Sequence, residues 1–253
     1  MKKIFLLSFL SLLTFSCNED NDDNLPTNAT VSFLYSHNWD GTELNATNFD
    51  TQEYTNANGE ILNITRLRYL TSRYELTNAS GETFLLNGYN LVDIADTNTH
   101  TFQPENLIPV GTYTLKIIWG FNETDNQDGA YTDLNSASWN WPAMLGGGYH
   151  FMQFDGMYNV NTAAPKPFNY HNGTAKVSDG VFEQNFVTLE FAPPIVITNN
   201  TTIEMKMNIA EWFKNPYTWD LNIYDTPLMP NYDAQKLMQQ NAETVFSIGT
   251  ISE

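Results

Sequence analysis

The sequence has few of the features that would suggest a disulfide framework, a membrane span or a nucleic-acid partner. Its 253 residues include a single cysteine, Cys17, so no intramolecular disulfide can form. Only 11 residues are lysine or arginine against 29 aspartates and glutamates, and the formal charge of −18 would repel the phosphates of a nucleic acid. Beyond the N-terminus, no apolar run approaches the roughly 20 residues of a membrane-spanning helix. The sequence therefore predicts a domain that is stabilised by packing.

The common catalytic signatures are also missing. The chain contains no Gly-x-Ser-x-Gly, no Walker-type glycine loop and no His-Glu-x-x-His. The oxygen-rich loop at 123–129, ETDNQDG, lacks the spacing and the distal glutamate of an EF-hand, so a solvated loop is favoured over a calcium site. We expect a protein that is not an enzyme.

The N-terminus has the layout of an export signal. Lys2 and Lys3 precede an apolar run from 4 to 15 that is too short to span a membrane, which predicts a signal peptide over residues 1–16. Its end, LLTFSC, resembles a bacterial lipoprotein signal, in which Cys17 would be lipidated and would anchor the chain in the membrane. The alternative is an ordinary signal peptide that ends near a free cysteine. Either reading exports the protein.

Residues 17–28 are acidic and contain no aromatic residue, so they cannot bury apolar surface. This composition predicts a flexible tether. An acidic run beside a lipidated cysteine also resembles the export signal of Bacteroidota surface lipoproteins, and the alternative is a solvated linker. We expect an outer-membrane lipoprotein that faces the periplasm or the cell surface.

Residues 29–253 are predicted to form one all-β domain, an antiparallel β-sandwich of immunoglobulin-like or Greek-key type. In TIEMKMNI, Ile203, Met205 and Met207 alternate with polar residues, as in a strand with one buried face. NASG at 78–81 predicts a hairpin turn. One short C-terminal helix is expected from 233 to 241, with Asp233 as its N-cap. Strands are expected at 29–35, 61–70, 72–77, 82–86, 89–94, 112–120, 149–155, 185–191 and 202–209.

Chemistry-bearing residues concentrate in SWNWPAMLGGGYH, residues 138–150. Three consecutive glycines indicate a sharp turn or a close backbone approach. Strand alternation after them would place His150 and Met152 on one side, and imidazole with thioether suits copper better than calcium or magnesium. The alternative is a hydrogen-bonded core histidine. The other histidines, His37, His100 and His171, are each either structural residues or metal ligands.

Eight blocks in order resemble the MbnP-like copper-binding proteins over nearly the whole domain. They are SHNWDGTEL, LRYLTSRYELTNASGE, GYNLVDI, IPVGTYT, WNWPAMLGGGYHFMQFDG, FNYHNGT, EWFKNP and NAETVFSI. The resemblance implies an exported β-sandwich that binds copper through histidines and a kynurenine, which is made by oxidising a tryptophan. It also implies a partner, a di-haem enzyme of the cytochrome c peroxidase type, that performs this oxidation.

The resemblance also implies which residues form the site. His37 matches the family's N-terminal histidine, His171 its His-x-Gly motif, and Trp139 and Trp141 its Trp-x-Trp position. We therefore expect His37 and His171 to meet beside the two indoles. Further ligands would come from His150 or Met152, and Asp155 would orient a histidine.

One departure from the family pattern leaves alternatives open. PAMLGG separates Trp141 from Gly148-Tyr149, so either tryptophan is a candidate for oxidation. A site of His37, His150 and His171 without a modified tryptophan is the other possibility. Two rival functions also stand: a surface lipoprotein that binds glycans or peptides on a platform of Trp139, Trp141 and Tyr149, and a structural envelope module with core tryptophans.

Overall fold

The structure is a computed structural model that describes residues 27–253. The predicted signal peptide, Cys17 and almost all of the predicted tether lie outside these residues. Within 27–253, no helix is both long and apolar enough to cross a membrane. The first strand begins at Asn28, one residue before the predicted start of the domain.

Fifteen strands and two α-helices make up this part of the chain, together with short 3-10 helices. The elements are β1 (Asn28–Trp39), β2 (Thr42–Glu43), β3 (Tyr54–Thr55), β4 (Ile61–Asn78), β5 (Thr83–Asp93), β6 (Thr101–Phe102), β7 (Leu107–Pro109), β8 (Gly111–Trp119), α1 (Thr132–Ser136), β9 (Met152–Tyr158), β10 (Lys166–Asn172), β11 (Ala175–Ser178), β12 (Val181–Glu183), β13 (Val187–Ile197), β14 (Thr201–Asn208), α2 (Tyr232–Val245) and β15 (Phe246–Ser252).

Two sheets contain most of the strands. One has the order β15-β14-β1-β2, with β6 and β7 also paired to β1. The other has the order β10-β9-β4-β8-β13, with β3 and β5 paired to β4, and β11 and β12 form a separate ribbon. β1 and β14 run parallel, so the expectation of a wholly antiparallel sandwich is wrong at this pair. The long connection through the second sheet brings β14 back beside β1 in the same direction.

The two large sheets pack face to face around a single apolar core. Phe33 of β1 lies 4.5 Å from Tyr74 of β4, measured between ring centroids. The Tyr35 hydroxyl hydrogen bonds with Thr71 at 2.8 Å and with Tyr74 at 2.6 Å across the same interface. The predicted class, an all-β sandwich with a short C-terminal helix, is confirmed.

β4 is one strand where the sequence predicts two. Its pairing with β9 shifts between Ile64 and Arg66, and its pairing with β5 shifts between Ser72 and Tyr74. Each bulge inserts an extra residue, so the side chains that point to the core switch between even-numbered and odd-numbered positions of β4. As a result Tyr69 is fully buried in the core, while Arg66 lies on the outer face of this sheet with Asp155.

α2 closes the core near the end of the chain. It begins one residue before the predicted start, at Tyr232, and its N-cap is Asn231, whose side chain accepts a hydrogen bond from Ala234 N, so the assignment of Asp233 as N-cap is wrong. Asp233 instead lies in the first turn, where a negative charge favours the helix dipole. The apolar residues at helical spacing do form the face of α2 that packs on the core, since Ala234 and Met238 are fully buried.

Candidate metal centre

The four histidines form two separate pairs. The ring centroids of His150 and His171 lie 5.5 Å apart, and those of His37 and His100 lie 5.3 Å apart. Both pairs are edge-to-face, at 79° and 63°. No pattern in the sequence indicates this pairing, since the members of the second pair are separated by four strands.

His171 lies on the outer face of the seven-stranded sheet, on β10. Its Nε2 lies 2.8 Å from Oδ1 of Asp155 on the neighbouring strand β9. Burial would raise the pKa of Asp155, but hydrogen bonds from His171 and Asn169 and the charge of Arg66 lower it to about 2. An ionised carboxylate accepts a hydrogen bond, so Nε2 carries a proton, and in the neutral ring the lone pair is on Nδ1. Asp155 thus orients this imidazole, as the sequence predicted.

His150 faces His171 from the segment that covers this sheet. Its Nδ1 lies 3.1 Å from the carbonyl oxygen of Trp139, which can only accept, so Nδ1 donates and Nε2 keeps the lone pair. Burial, with a smaller contribution from the neighbouring His171, lowers the pKa of His150 to about 3. The ring is therefore neutral at physiological pH, which is the protonation state that a metal ligand requires.

Both indoles of the Trp-x-Trp motif contact His150. The ring centroid of Trp141 lies 4.9 Å from that of His150, and the centroid of Trp139 lies 5.6 Å from it. Nε1 of Trp141 donates to the carbonyl of Leu145. Nε1 of Trp139 is buried without a hydrogen-bond partner among the described residues. The guanidinium carbon of Arg68 lies 5.1 Å from the centre of the Trp139 ring, a cation–π contact.

The three glycines form the turn that folds the two indoles against His150. Gly146, Gly147 and Gly148 all have positive φ, of 113°, 68° and 80°. After the turn the chain returns antiparallel, with Trp141 N donating to Gly148 O and His150 N donating to Trp139 O. A glycine is required here because a Cβ at position 148 would lie 2.3 Å from an oxygen of Asn126.

Sequence reasoning missed the residues that support this turn. Asn126 accepts a hydrogen bond from Tyr149 N and donates to Thr174, while Asp128 accepts from Gly148 N at 2.6 Å. Both residues belong to the loop at 123–129, whose side chains are therefore engaged with the turn rather than with solvent alone. Gly173 has a similar role, because a Cβ there would lie 2.5 Å from the Trp141 ring. The only signal in the sequence was the clustering of Asn, Asp and Gly.

The second pair lies between the two sheets. His37, near the end of β1, is buried, and its Nε2 hydrogen bonds with the Tyr69 hydroxyl at 3.0 Å. Burial, with a contribution from His100, lowers the pKa of His37 to about 3. His100 follows a 3-10 turn and donates from Nε2 to the Asp93 carbonyl at 3.1 Å.

The expected convergence of His37 with His171 is wrong. Tyr69, Met152 and Asn172 pair directly across the sheet and share its core face, the face from which Tyr69 contacts His37. His171 is the neighbour of Asn172 along β10, so it points to the opposite face. The sheet separates the two histidines.

The expectation that Met152 lies on the same side as His150 is also wrong. β9 begins only at Met152, after a bend at Phe151, so alternation does not continue back to His150. Met152 packs in the core, while the next residue, Gln153, is the register partner of His171.

Neither pair is part of a larger cluster of ordinary ligands. Over residues 27–253, no group of three or more His, Cys, Asp and Glu side chains is placed to hold a metal ion. The aromatic platform of the rival function is not formed either, because Trp139 and Tyr149 are fully buried and Trp141 is 2% exposed. A sugar could not stack on rings without an exposed face.

Comparisons with known proteins agree with this architecture. A solved structure, MbnP from Methylosinus trichosporium, superposes with a TM-score of 0.57 at 12% sequence identity, over 88% of this chain and 98% of that chain. No curated protein matches the sequence. The sequence model of the MbnP family matches residues 28–230, which is well over half of the 253 residues. The chain therefore belongs to the MbnP family.

Proposed function

We propose that this protein is an exported copper-binding lipoprotein that acts in copper acquisition or handling rather than as an enzyme, and that His150 and His171 hold the metal. The proposal is carried by one observation, the geometry of two imidazoles whose ring centroids lie 5.5 Å apart. In each ring one nitrogen donates a hydrogen bond to an oxygen, which leaves the other nitrogen to coordinate a metal ion. The chain belongs to the MbnP family, and its resemblance to the copper-binding members of that family supports the choice of copper as the metal.

The environment of the pair suits a transition metal. In metal sites, a ligand histidine usually donates its other ring N–H to a carboxylate or a backbone carbonyl, which fixes the orientation of the ring. Asp155 accepts such a hydrogen bond from His171, and the Trp139 carbonyl accepts one from His150. The His171 side chain keeps 13% exposure, which gives a metal a route from solvent to the otherwise buried pair. Neutral imidazole suits copper and zinc better than calcium or magnesium.

A third donor would come from an oxidised tryptophan. Two equivalents of hydrogen peroxide, consumed at the di-haem partner, would each transfer one oxygen atom to the indole and leave as water, so that the Cγ–Cδ1 bond breaks and N-formylkynurenine forms. Hydrolysis would then remove Cδ1 as formate and leave kynurenine, with an aromatic amine and a ketone. The buried, non-coordinating indole would thereby become a donor beside two imidazoles.

Trp141 is the better candidate for this oxidation. It lies nearer to His150 than Trp139 does, and its Nε1–H is already hydrogen bonded to a carbonyl that would stabilise positive charge on the ring. Removing an electron from Trp139 is opposed by the guanidinium of Arg68 over its face. We expect Trp141 to be modified and Trp139 to remain intact.

The test uses the full chain produced in its native host. Elemental analysis should find copper in the parent, and peptide mass spectrometry should find kynurenine at position 141. His150→Gln and His171→Asn should each lower the copper-to-protein ratio by one, and Trp139→Phe should leave the modification in place. Mass spectrometry of the same material should also find a lipid modification at Cys17.

One result would refute the proposal. Unchanged copper content in both His150→Gln and His171→Asn would show that the metal is held elsewhere. Near-ultraviolet circular dichroism of each variant should match the parent, since a variant that has lost its tertiary packing would lose metal for a trivial reason.

A further inference from the structure

One end of the sandwich lies where the described chain begins. The strand registers bring the start of β1 together with β7, the start of β14 and the end of β15. The other large sheet contributes the start of β8, the end of β13 and the turn between β4 and β5. The carbonyl of Thr27 accepts a hydrogen bond from Val110 N at 3.1 Å. We call this the tether end, because the predicted tether joins the domain here.

Exposed apolar side chains surround the tether end. They are Leu107 at 61% exposure, Val196 at 56%, Ile251 at 42% and Val110 at 37%. The core is supplied instead by their chain neighbours Ile108 and Ile197, which are buried. Single exposed apolar residues are ordinary on a protein surface, whereas several at one end of a domain mark a contact surface.

The charge of the tether end selects among the partners of such a surface. Its segments, residues 27–30, 78–83, 104–113, 194–203 and 249–253, contain no lysine or arginine. They contain the carboxylates of Glu82, Glu105 and Glu253. Anionic headgroups and acidic proteins are recognised by basic side chains, which this end lacks. A zwitterionic bilayer needs no such charges, since apolar side chains alone favour its interface.

The tether keeps this end of the domain close to a bilayer. Roughly ten residues separate Cys17, the predicted lipidation site, from Thr27. A chain of that length spans at most about 35 Å when fully extended, and about 17 Å on average when flexible. Because the lipid anchor and the apolar side chains belong to one chain, a weak contact between the domain and the lipid is sufficient.

We propose that the tether end docks on a zwitterionic lipid bilayer through Leu107, Val110, Val196 and Ile251. The inference rests on the part of the proposed function that makes the protein a lipoprotein anchored at Cys17, and it is independent of copper. The anchor supplies most of the membrane affinity, and the four side chains fix which end of the domain meets the headgroups.

Docking in this way sets the orientation of the candidate metal centre. His171 pairs with Gln153, which pairs with Arg68 of β4. Arg68 lies roughly ten residues of strand, or about 30 Å, from the turn that follows Asn78 at the tether end. The bilayer therefore does not cover the histidine pair, which stays open to solvent and to soluble partners.

The experiment uses the lipid-modified protein, purified from its native host and reconstituted into vesicles of phosphatidylcholine and phosphatidylethanolamine. Val110→Cys and Ile223→Cys, in separate variants, each carry a nitroxide label. Ile223 is a matched control, because it is 68% exposed and lies at the opposite end, where Asn222 donates to Glu60 just before β4. Electron paramagnetic resonance measures how often each label collides with oxygen, which concentrates in lipid, and with a nickel chelate, which stays in water.

The label at position 110 should be reached more readily by oxygen and the label at position 223 by the nickel chelate. Leu107→Glu, added to Val110→Cys, should release the domain, so that the chelate reaches position 110 as readily as position 223. Ile223→Glu adds the same charge at the other end and should leave the label at position 110 in the bilayer.

Two results would overturn the docking. One is a label at position 110 that the chelate reaches as readily as the label at position 223. The other is dipolar broadening between labels at position 110, which would show that this surface joins two copies of the chain. Flotation of the same vesicles tests the anchor separately, because protein that does not float with them would refute the lipoprotein assignment and the docking together. The copper content of the sample reports on the histidine pair independently of either result.

Discussion

Acidification should destabilise the metal-free protein well before its carboxylates titrate. Burial lowers the pKa of both His37 and His150 to about 3, whereas an unfolded chain has histidines near 6.5. Between these values the unfolded state binds more protons than the folded state, so the free energy of unfolding must fall as the pH falls. From pH 7 to pH 5 the linkage amounts to about 2 kcal/mol for each histidine, or about 4 kcal/mol for the two.

Asp155 does not obscure this effect. Its pKa is lowered to about 2, so the stability that it contributes is lost only below the range of an ordinary aspartate, outside the window from pH 5 to 7. Urea unfolding of chelator-treated protein at pH 7, 6 and 5, followed by tryptophan fluorescence, measures the change.

A matched variant isolates one histidine. His37→Phe replaces the buried imidazole with an apolar ring. Whatever its effect on absolute stability, this variant should lose about 2 kcal/mol less of its free energy of unfolding between pH 7 and pH 5 than the parent does. A parent protein that is equally stable at both pH values would refute the reasoning. The same conclusion would follow if His37→Phe kept the full pH dependence, since His37 would then not be buried as a neutral ring.

The other predictions concern the turn, α2 and the orienting carboxylate. Gly148→Ala should lower the free energy of unfolding by several kcal/mol, because the new Cβ would lie 2.3 Å from a side-chain oxygen. The control is Gly59→Ala, which has a similar φ but no atom within 4 Å of its Cβ and should cost only about 1–2 kcal/mol in the same denaturation assay. Gln235→Leu should destabilise by about 3 kcal/mol, since it leaves a buried N–H and two carbonyls without their partner; an unchanged melting temperature would contradict this. Asp155→Asn should lower the copper affinity of the His171 site roughly 10–100-fold without loss of the fold, and an unchanged affinity would show that the carboxylate does not orient the ring.

Local patterns predicted the fold where one physical cause dominates. β14 alternates because one face is buried and the other is wet, and Ile203, Met205 and Met207 are indeed buried. The NASG turn joins β4 to β5, with Gly81 N donating to Asn78 O. The apolar spacing of α2 reflects its contact with the core.

The candidate site was predicted only in part, because its geometry depends on irregular backbone. Alternation failed at Met152, where a bend precedes the strand, and a periodic argument cannot detect such a bend. The separation of His37 from His171 follows from which face of a sheet each residue occupies, and pairing between distant strands decides that. The contact of Trp141 with His150 was suggested by sequence proximity, whereas the support from Asn126 across the turn was not.

The position of Gln235 has a practical consequence for any recombinant fragment. The family region stops at residue 230, yet this fully buried side chain, one turn into α2, accepts from Gly173 N and donates to His171 O. β15 then completes the edge of the other sheet against β14. A fragment that ends at residue 230 would therefore lose the side chain that hydrogen bonds with the backbone of His171, and it would also lose an edge strand. Useful boundaries for biochemical work extend to the last residue of β15.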